Sequence, residues 1–149
     1  MFGEVWFWAG EKRKTEKNLG VPPAKIGSEI DRLLYDLHQW EKKKIEPFEI
    51  AVRLQHRLVE IHPCENGNGR LARLVSNIYL NQKRLAIVEW PRDEKVIKET
   101  FKPKYLAALK KADHGDYEDL LALHREHWNQ QSTFHPLSSN FKKVSAAFP

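Results

Sequence analysis

Residues 61–73, IHPCENGNGRLAR, constrain the fold more than any other stretch of the chain. Pro63 disfavours helical geometry in the residue before it and should end the helix that arrives at His62. Gly67 and Gly69 let the backbone turn sharply, so a new helix can start behind them. The flanks carry the matching pattern. In EPFEIAVRLQHRLVEI, Ala51, Leu54, Leu58 and Ile61 lie three, four and three apart and share one helical face, with Pro47 in the first turn. GRLARLVSNIYLNQKR reads as the next helix, with Leu71, Leu74, Val75, Ile78 and Tyr79 inward. The unit expected is helix, tight glycine turn, helix.

Helical patterns fill most of the remainder. SEIDRLLYDLHQWEKKK puts Ile30, Leu33, Leu34, Leu37 and Trp40 on one face, with Ser28 as N-cap and Lys42, Lys43 and Lys44 at the negative end of the dipole. A helical segment should run from about Asp93 to Ala112, kinked or restarted by Pro103. HGDY is a turn with Gly115 near a helix end, and EDLLALHREHW is a further helix. KNLGVPP is a loop or small hairpin. The fold class is mostly α: one domain over residues 1–128, then a tail, residues 129–149, with no clear period. Phe2, Val5, Trp6, Phe7 and Trp8 crowd the start. Either the tail covers them, or a partner does, or the chain begins inside a longer domain.

Charge narrows the partners. The net charge is +5, spread over several short clusters, with no DNA-binding helix-turn-helix, zinc finger or aromatic RNA-binding signature. A solvated surface or a phosphate-bearing partner explains the excess better than nucleic acid. No run of about 18 apolar residues predicts a membrane span. MFGEVWFWAGEK lacks the basic start of a secretory signal, and a lone cysteine, Cys64, fits a reducing cytosol.

The glycine turn is where chemistry is expected. A helix opening at Gly-Asn-Gly presents free backbone N–H groups and the positive dipole end, a site for phosphate. Arg70 and Arg73, three apart, put two guanidinium forks beside it. His62, ending the previous helix, is the side chain best suited to take a proton near neutral pH. His56, six residues earlier, reads as structural.

The stretch His62-Pro63-Cys64-Glu65-Asn66-Gly67-Asn68-Gly69-Arg70-Leu71-Ala72-Arg73 resembles the signature of the Fic (filamentation induced by cAMP), or Fido, family: His, any, Phe, any, Asp/Glu, Gly, Asn, Gly, Arg, any, any, Arg. His62, Gly67, Asn68, Gly69, Arg70 and Arg73 match it. FGEVWFWAGEKRKTEKNLGV looks like the segment leading into that family's active-site flap. YLAALKKADHGDYEDLLAL is similar to the C-terminal helices of its mobile mystery protein B group. The resemblance implies a helical fold with a small hairpin flap, and transfer of AMP from ATP to a Ser, Thr or Tyr hydroxyl of a target protein. It implies His62 as general base, Asn68 and the amides around Gly67 and Gly69 as the anion hole, and Arg70 and Arg73 on the phosphates. Position 66 would hold Mg²⁺ or Mn²⁺. Lys17, Asn18, Leu19, Gly20 and Val21 would form the flap that clamps the target by strand addition.

Two positions depart from the signature. Asn66 replaces the acidic metal ligand with a neutral amide, a weaker donor for Mg²⁺. Cys64 replaces a Phe that packs the loop, which can open a cavity worth roughly 2–4 kcal/mol and loosen the loop. A catalytically silent domain that only binds nucleotide or protein is therefore the alternative to an adenylyltransferase. Gly69 separates the chain from the kinase-like Doc branch, which has lysine there. No Ser or Thr is followed four residues later by Glu and then Gly or Asn, the family's self-inhibitory pattern. Either inhibition comes in trans from an antitoxin-like partner, as for a toxin of the bacterial cytoplasm, or the inhibitory element was lost with a missing N-terminal piece.

Overall fold

In a computed structural model, residues 11–91 and 93–128 are described. The aromatic start and the tail beyond Trp128 lie outside them. The chain runs as a bent loop to a single 3-10 turn, Pro23–Lys25. Helix α1 follows, Ile26–Lys42, then α2, Pro47–Ile61, and α3, Asn68–Gln82. A short α4, Glu94–Val96, widens into a π-turn at Ile97–Phe101 and continues as α5, Lys102–Ala112. Helix α6 spans Glu118–Glu126. One isolated antiparallel bridge joins Val88 to Trp128, and no strand forms among the described residues. The expected hairpin at Lys17 to Val21 is accordingly a loop there.

The helix ends follow from particular residues. Pro22 and Pro23 fix φ near the helical value, so the chain starts turning earlier than the sequence pattern indicates. Ser28 is then not the N-cap: it lies inside α1, where its hydroxyl bonds back to the carbonyl of Lys25 at 3.0 Å. Pro103 does not break its helix. The wider π-turn just ahead of it relieves the clash between a proline ring and the carbonyl four residues back. Gly115, at φ +89°, provides the left-handed turn between α5 and α6.

Two compact units meet inside α3, the first ending at Ser76 and the second starting at Asn77. In the first, α1 packs on α2. Helix α2 is the core element: Phe48, Ile50, Ala51, Val52, Leu54, Leu58 and Ile61 are all buried, as are Gln55 and His56. Arg57 ties it to α1 through Glu29 at 2.9 Å, and the Arg53 guanidinium sits 5.7 Å above the Trp40 ring. In the second unit α5 packs on α6. Trp90 meets Phe101 and His124 edge-on, and burial pushes the His124 imidazole down to about 4. Asn77 closes the α3–α4 connection by bonding both the N–H and the carbonyl of Val88 at 3.0 Å.

Two residues expected inward face solvent. Leu34 is 60% exposed and Leu74 52%. On α1 the buried line runs through Ile26 and Leu33, and on α3 through Ala72, Ser76 and Leu80. Each stripe is narrower than its apolar residues would allow. Leu33→Ala should therefore cost about 2–4 kcal/mol, and its neighbour Leu34→Ala no more than about 0.5 kcal/mol, in urea unfolding. Equal losses would mean that Leu34 is covered in the folded protein.

Candidate functional site

Helix α2 stops at His62, which takes the left-handed conformation, φ 55° and ψ 58°, while its N–H still bonds to the Leu58 carbonyl at 3.1 Å. Histidine tolerates this region better than most residues. The reversal throws the chain out of the helix into the buried Pro63 and the motif loop. Asn68 then closes the loop. Its Oδ1 accepts the Cys64 N–H at 2.8 Å and its Nδ2 donates to the Cys64 carbonyl at 2.7 Å. The Asn68 side chain, expected in the anion hole, is 3% exposed and makes both bonds inside the loop. The loop with Cys64 in place of an aromatic ring is thus pinned by hydrogen bonds, and partial burial raises the Cys64 thiol above its ordinary value.

Helix α3 opens with the Leu71 N–H on the Gly67 carbonyl at 2.9 Å. That leaves the backbone N–H groups of Asn68, Gly69 and Arg70 without partners among the described residues. The Gly67 N–H is occupied by Asn66 Oδ1 at 2.6 Å. Gly67 needs its glycine for φ +78°. Gly69 does not: it sits in a helix, and a Cβ there would meet nothing within 4 Å. Open space therefore lies over the free amides. Arg70 is exposed, with its guanidinium folded near Gly67, and Arg73 is half-buried. Neither pairs with an acid among the described residues. Three N–H groups without partners among the described residues, a helix dipole and the Arg70 guanidinium nearby suit a phosphate group, with Arg73 three residues further along α3.

The flap loop lies against the other side of His62. The Val21 N–H bonds to the Ile61 carbonyl at 3.3 Å and the Arg13 N–H to the Pro63 carbonyl at 2.7 Å. Gly20, at φ +90°, is so close that a Cβ would stand 2.4 Å from His62 Cβ. Glu65 fastens the loop's beginning: its carboxylate accepts the N–H of Lys14 at 3.0 Å and the Thr15 hydroxyl at 2.9 Å, and pairs with Lys17 at 3.1 Å. These donors, the Lys14 N–H foremost, hold the carboxyl at about 2. Lys17, Asn18, Leu19 and Gly20 make no backbone hydrogen bond among the described residues, and Leu19 is 67% exposed. Their main chain is open to an added strand.

His62 itself is half-exposed. Burial lowers its pKa below 6.5, the Val59 carbonyl opposes the shift, and the cations of Arg13 and Lys17 reinforce it. The lowered pKa favours the neutral imidazole near pH 7, the form able to accept a proton. No hydrogen bond joins it to Arg70 or Arg73; its charged neighbours come from the flap. Arg13 escaped the sequence reading, where it disappeared into a cluster of lysines. The available signal was its being the one arginine among Lys12, Lys14 and Lys17. Glu65 anchors the chain at Lys14, Thr15 and Lys17.

For a divalent cation, Asn66 offers one exposed amide oxygen already accepting a hydrogen bond. No cluster of three or more His, Cys, Asp or Glu suited to a metal occurs among the described residues. This donor set fits Mg²⁺ arriving on phosphate oxygens and keeping most of its waters.

The loop clamp has a direct test. Asn68→Ala leaves the Cys64 N–H and carbonyl without partners and should destabilise the protein by about 1–3 kcal/mol in chemical unfolding. Asn68→Asp keeps the acceptor for the Cys64 N–H and should cost less. Equal losses for the two would show that the Cys64 N–H bond carries nothing.

Comparison with known proteins bears on the family and the fold. The family model described as Fic/DOC family matches residues 2–80. The chain is 31% identical over 114 residues to a protein named protein adenylyltransferase Fic from Nematostella vectensis, covering 72% of this chain and 25% of that protein. It is 29% identical over 112 residues to protein adenylyltransferase fic-1 of Caenorhabditis elegans, covering 72% and 21%. The chain thus spans about a quarter of the length of these relatives. Among solved structures it resembles Fic-1 (residues 134–508) from C. elegans, with TM-score 0.68 and 26% identity over 85% of this chain and 36% of that one. A Fic-domain signalling protein from Bacteroides thetaiotaomicron has the same fold, with TM-score 0.59 and 22% identity over 78% and 49%. The mostly helical architecture and the match over more than half of its length place this chain in the Fic/DOC family.

Proposed function

We propose that this chain transfers AMP from ATP to a hydroxyl of a target protein. The observation that carries the reading is the set of backbone N–H groups at the start of α3 that lie under open space, within the motif loop that His62, half-exposed and lowered in pKa, begins. The relatives named as adenylyltransferases support it. In this reading the target hydroxyl attacks the α-phosphorus of ATP. The bond from that phosphorus to the oxygen bridging to the β-phosphate breaks, pyrophosphate leaves, and His62 takes the hydroxyl proton. Arg70, Arg73 and the free amides of Asn68, Gly69 and Arg70 carry the phosphate charge. Asn66 would contribute one ligand to Mg²⁺ or Mn²⁺, which would supply further charge neutralisation. The flap main chain from Lys17 to Gly20 would hold the target segment as an added strand.

A silent, nucleotide-binding domain is the second reading. Asn66 favours it, because its amide oxygen is neutral and engaged by the Gly67 N–H. An antitoxin-like inhibitor acting in trans would belong to the first reading. A lone cysteine, Cys64, supports a reducing cytosol. No helix among the described residues is long and apolar enough to cross a membrane.

Incubation with ATP radiolabelled at the α-phosphate, Mg²⁺ and a cell lysate separates the two readings. The wild type should label a protein band. His62→Ala should reduce labelling by about 100-fold or more while still binding ATP. ATP binding without labelling in the wild type would favour the silent domain, and Asn66→Asp should then restore activity. The pH profile gives a second check. A base whose folded pKa lies below 6.5 stays deprotonated further into acid, so the acid limb of the rate should fall below pH 6.5. A limb at 6.5 or higher would remove His62, in this environment, from that role.

A further inference from the structure

Arg13 is 2% exposed. Its three guanidinium nitrogens donate to three carbonyls: Nε to His62 at 3.0 Å, Nη1 to Thr15 at 2.6 Å and Nη2 to Val21 at 2.5 Å. No carboxylate pairs with it among the described residues. A cation buried among neutral acceptors is costly, and a chain has little reason to keep one for packing alone. The three carbonyls are the informative part. Thr15 stands two residues before the flap, Val21 ends it, and His62 is the residue proposed as the base. A planar fork with fixed donor directions can hold all three at once, whereas a compact ammonium cannot reproduce that span. Gly20, pressed against His62, lies within the segment so gathered.

We propose that Arg13 is a positioning residue that locks both limbs of the flap to the left-handed His62, so that one guanidinium sets target docking and base orientation together. This rests on the adenylyl-transfer reading only for the role given to His62. A positive charge at this point also works on the imidazole. His62 is faced by Arg13 and by Lys17, the latter partly neutralised by Glu65, and by the Val59 carbonyl. Arg13 therefore favours the neutral ring that a base requires.

The test compares the full chain with Arg13→Lys and Arg13→Met by NMR, without nucleotide. Two signals are followed: hydrogen exchange of the Val21 amide, which bonds to Ile61, and titration of the His62 ring. Arg13→Lys should speed Val21 exchange by about tenfold or more, while the retained charge keeps the His62 midpoint low. Arg13→Met should do the same and also raise that midpoint toward 6.5. A residue that only stabilises the fold would not split the two signals in this way. If Arg13→Met does not fold, Arg13→Lys decides: unchanged Val21 exchange overturns the proposal. Unchanged exchange and an unmoved midpoint in a folded Arg13→Met overturn it equally. These readouts need no turnover, so a wild type that labels no protein would sink the adenylyl-transfer reading and leave this one standing. Where labelling is present, Arg13→Lys should lose it while keeping its affinity for ATP.

Discussion

A proline after His62 disfavours helical geometry there, and a buried helix cannot simply fray into solvent. Helix α2 is buried along most of its length, so its end has to be built. The left-handed turn at His62 is that construction: it satisfies the last N–H, redirects the chain and leaves the imidazole at the boundary between core and solvent. A non-glycine residue in this conformation costs on the order of 1–2 kcal/mol. The surrounding bonds hold it there, from the Arg13 guanidinium on the His62 carbonyl to the Arg13 N–H on the Pro63 carbonyl.

The site is then assembled from two sides of one helix end. On one side Asn68 clamps the motif loop, so that α3 begins with free amides under open space. On the other, Glu65 and Arg13 hold the flap against His62. The two motif-loop residues that sequence alone would leave idle or give to a ligand, Glu65 and Asn68, mostly hold chain segments together. Asn68 shows how one residue can belong to a family signature for a structural reason. Its amide oxygen accepts from a backbone N–H while its amide nitrogen donates to a backbone carbonyl, which the isosteric carboxylate of aspartate could not do.

Electrostatics divides along the same line. Glu65 lies where two backbone amides and a hydroxyl converge, which keeps it ionised far into acid and the flap attached. His62 lies where burial and nearby cations disfavour charge, which keeps it neutral. Both pKa values are lowered, which charges the carboxylate and discharges the imidazole; the causes, hydrogen bonds at Glu65 and burial at His62, come from the surroundings of each side chain and not from sequence neighbours.

The helices, the break at Pro63 and the glycine turn were legible from residue order alone, because period, proline and glycine act locally. So was the family, since the His62 to Arg73 spacing is a local pattern. The buried face of α2 was legible for the same reason: Ala51, Leu54, Leu58 and Ile61 are all inside. The widths of the apolar faces on α1 and α3 were not, and Leu34 and Leu74 turned outward, because how much of a stripe is covered depends on what packs against it. The start of α1 moved ahead of Ser28, since two prolines already held the preceding backbone in a turn. Only the tertiary structure decided that Arg13 is buried, that Glu65 reaches across to residues about 50 positions earlier, and that Gly20 rests on His62. Each of those contacts joins segments far apart in the chain, and their meeting is fixed by packing, which no local pattern encodes.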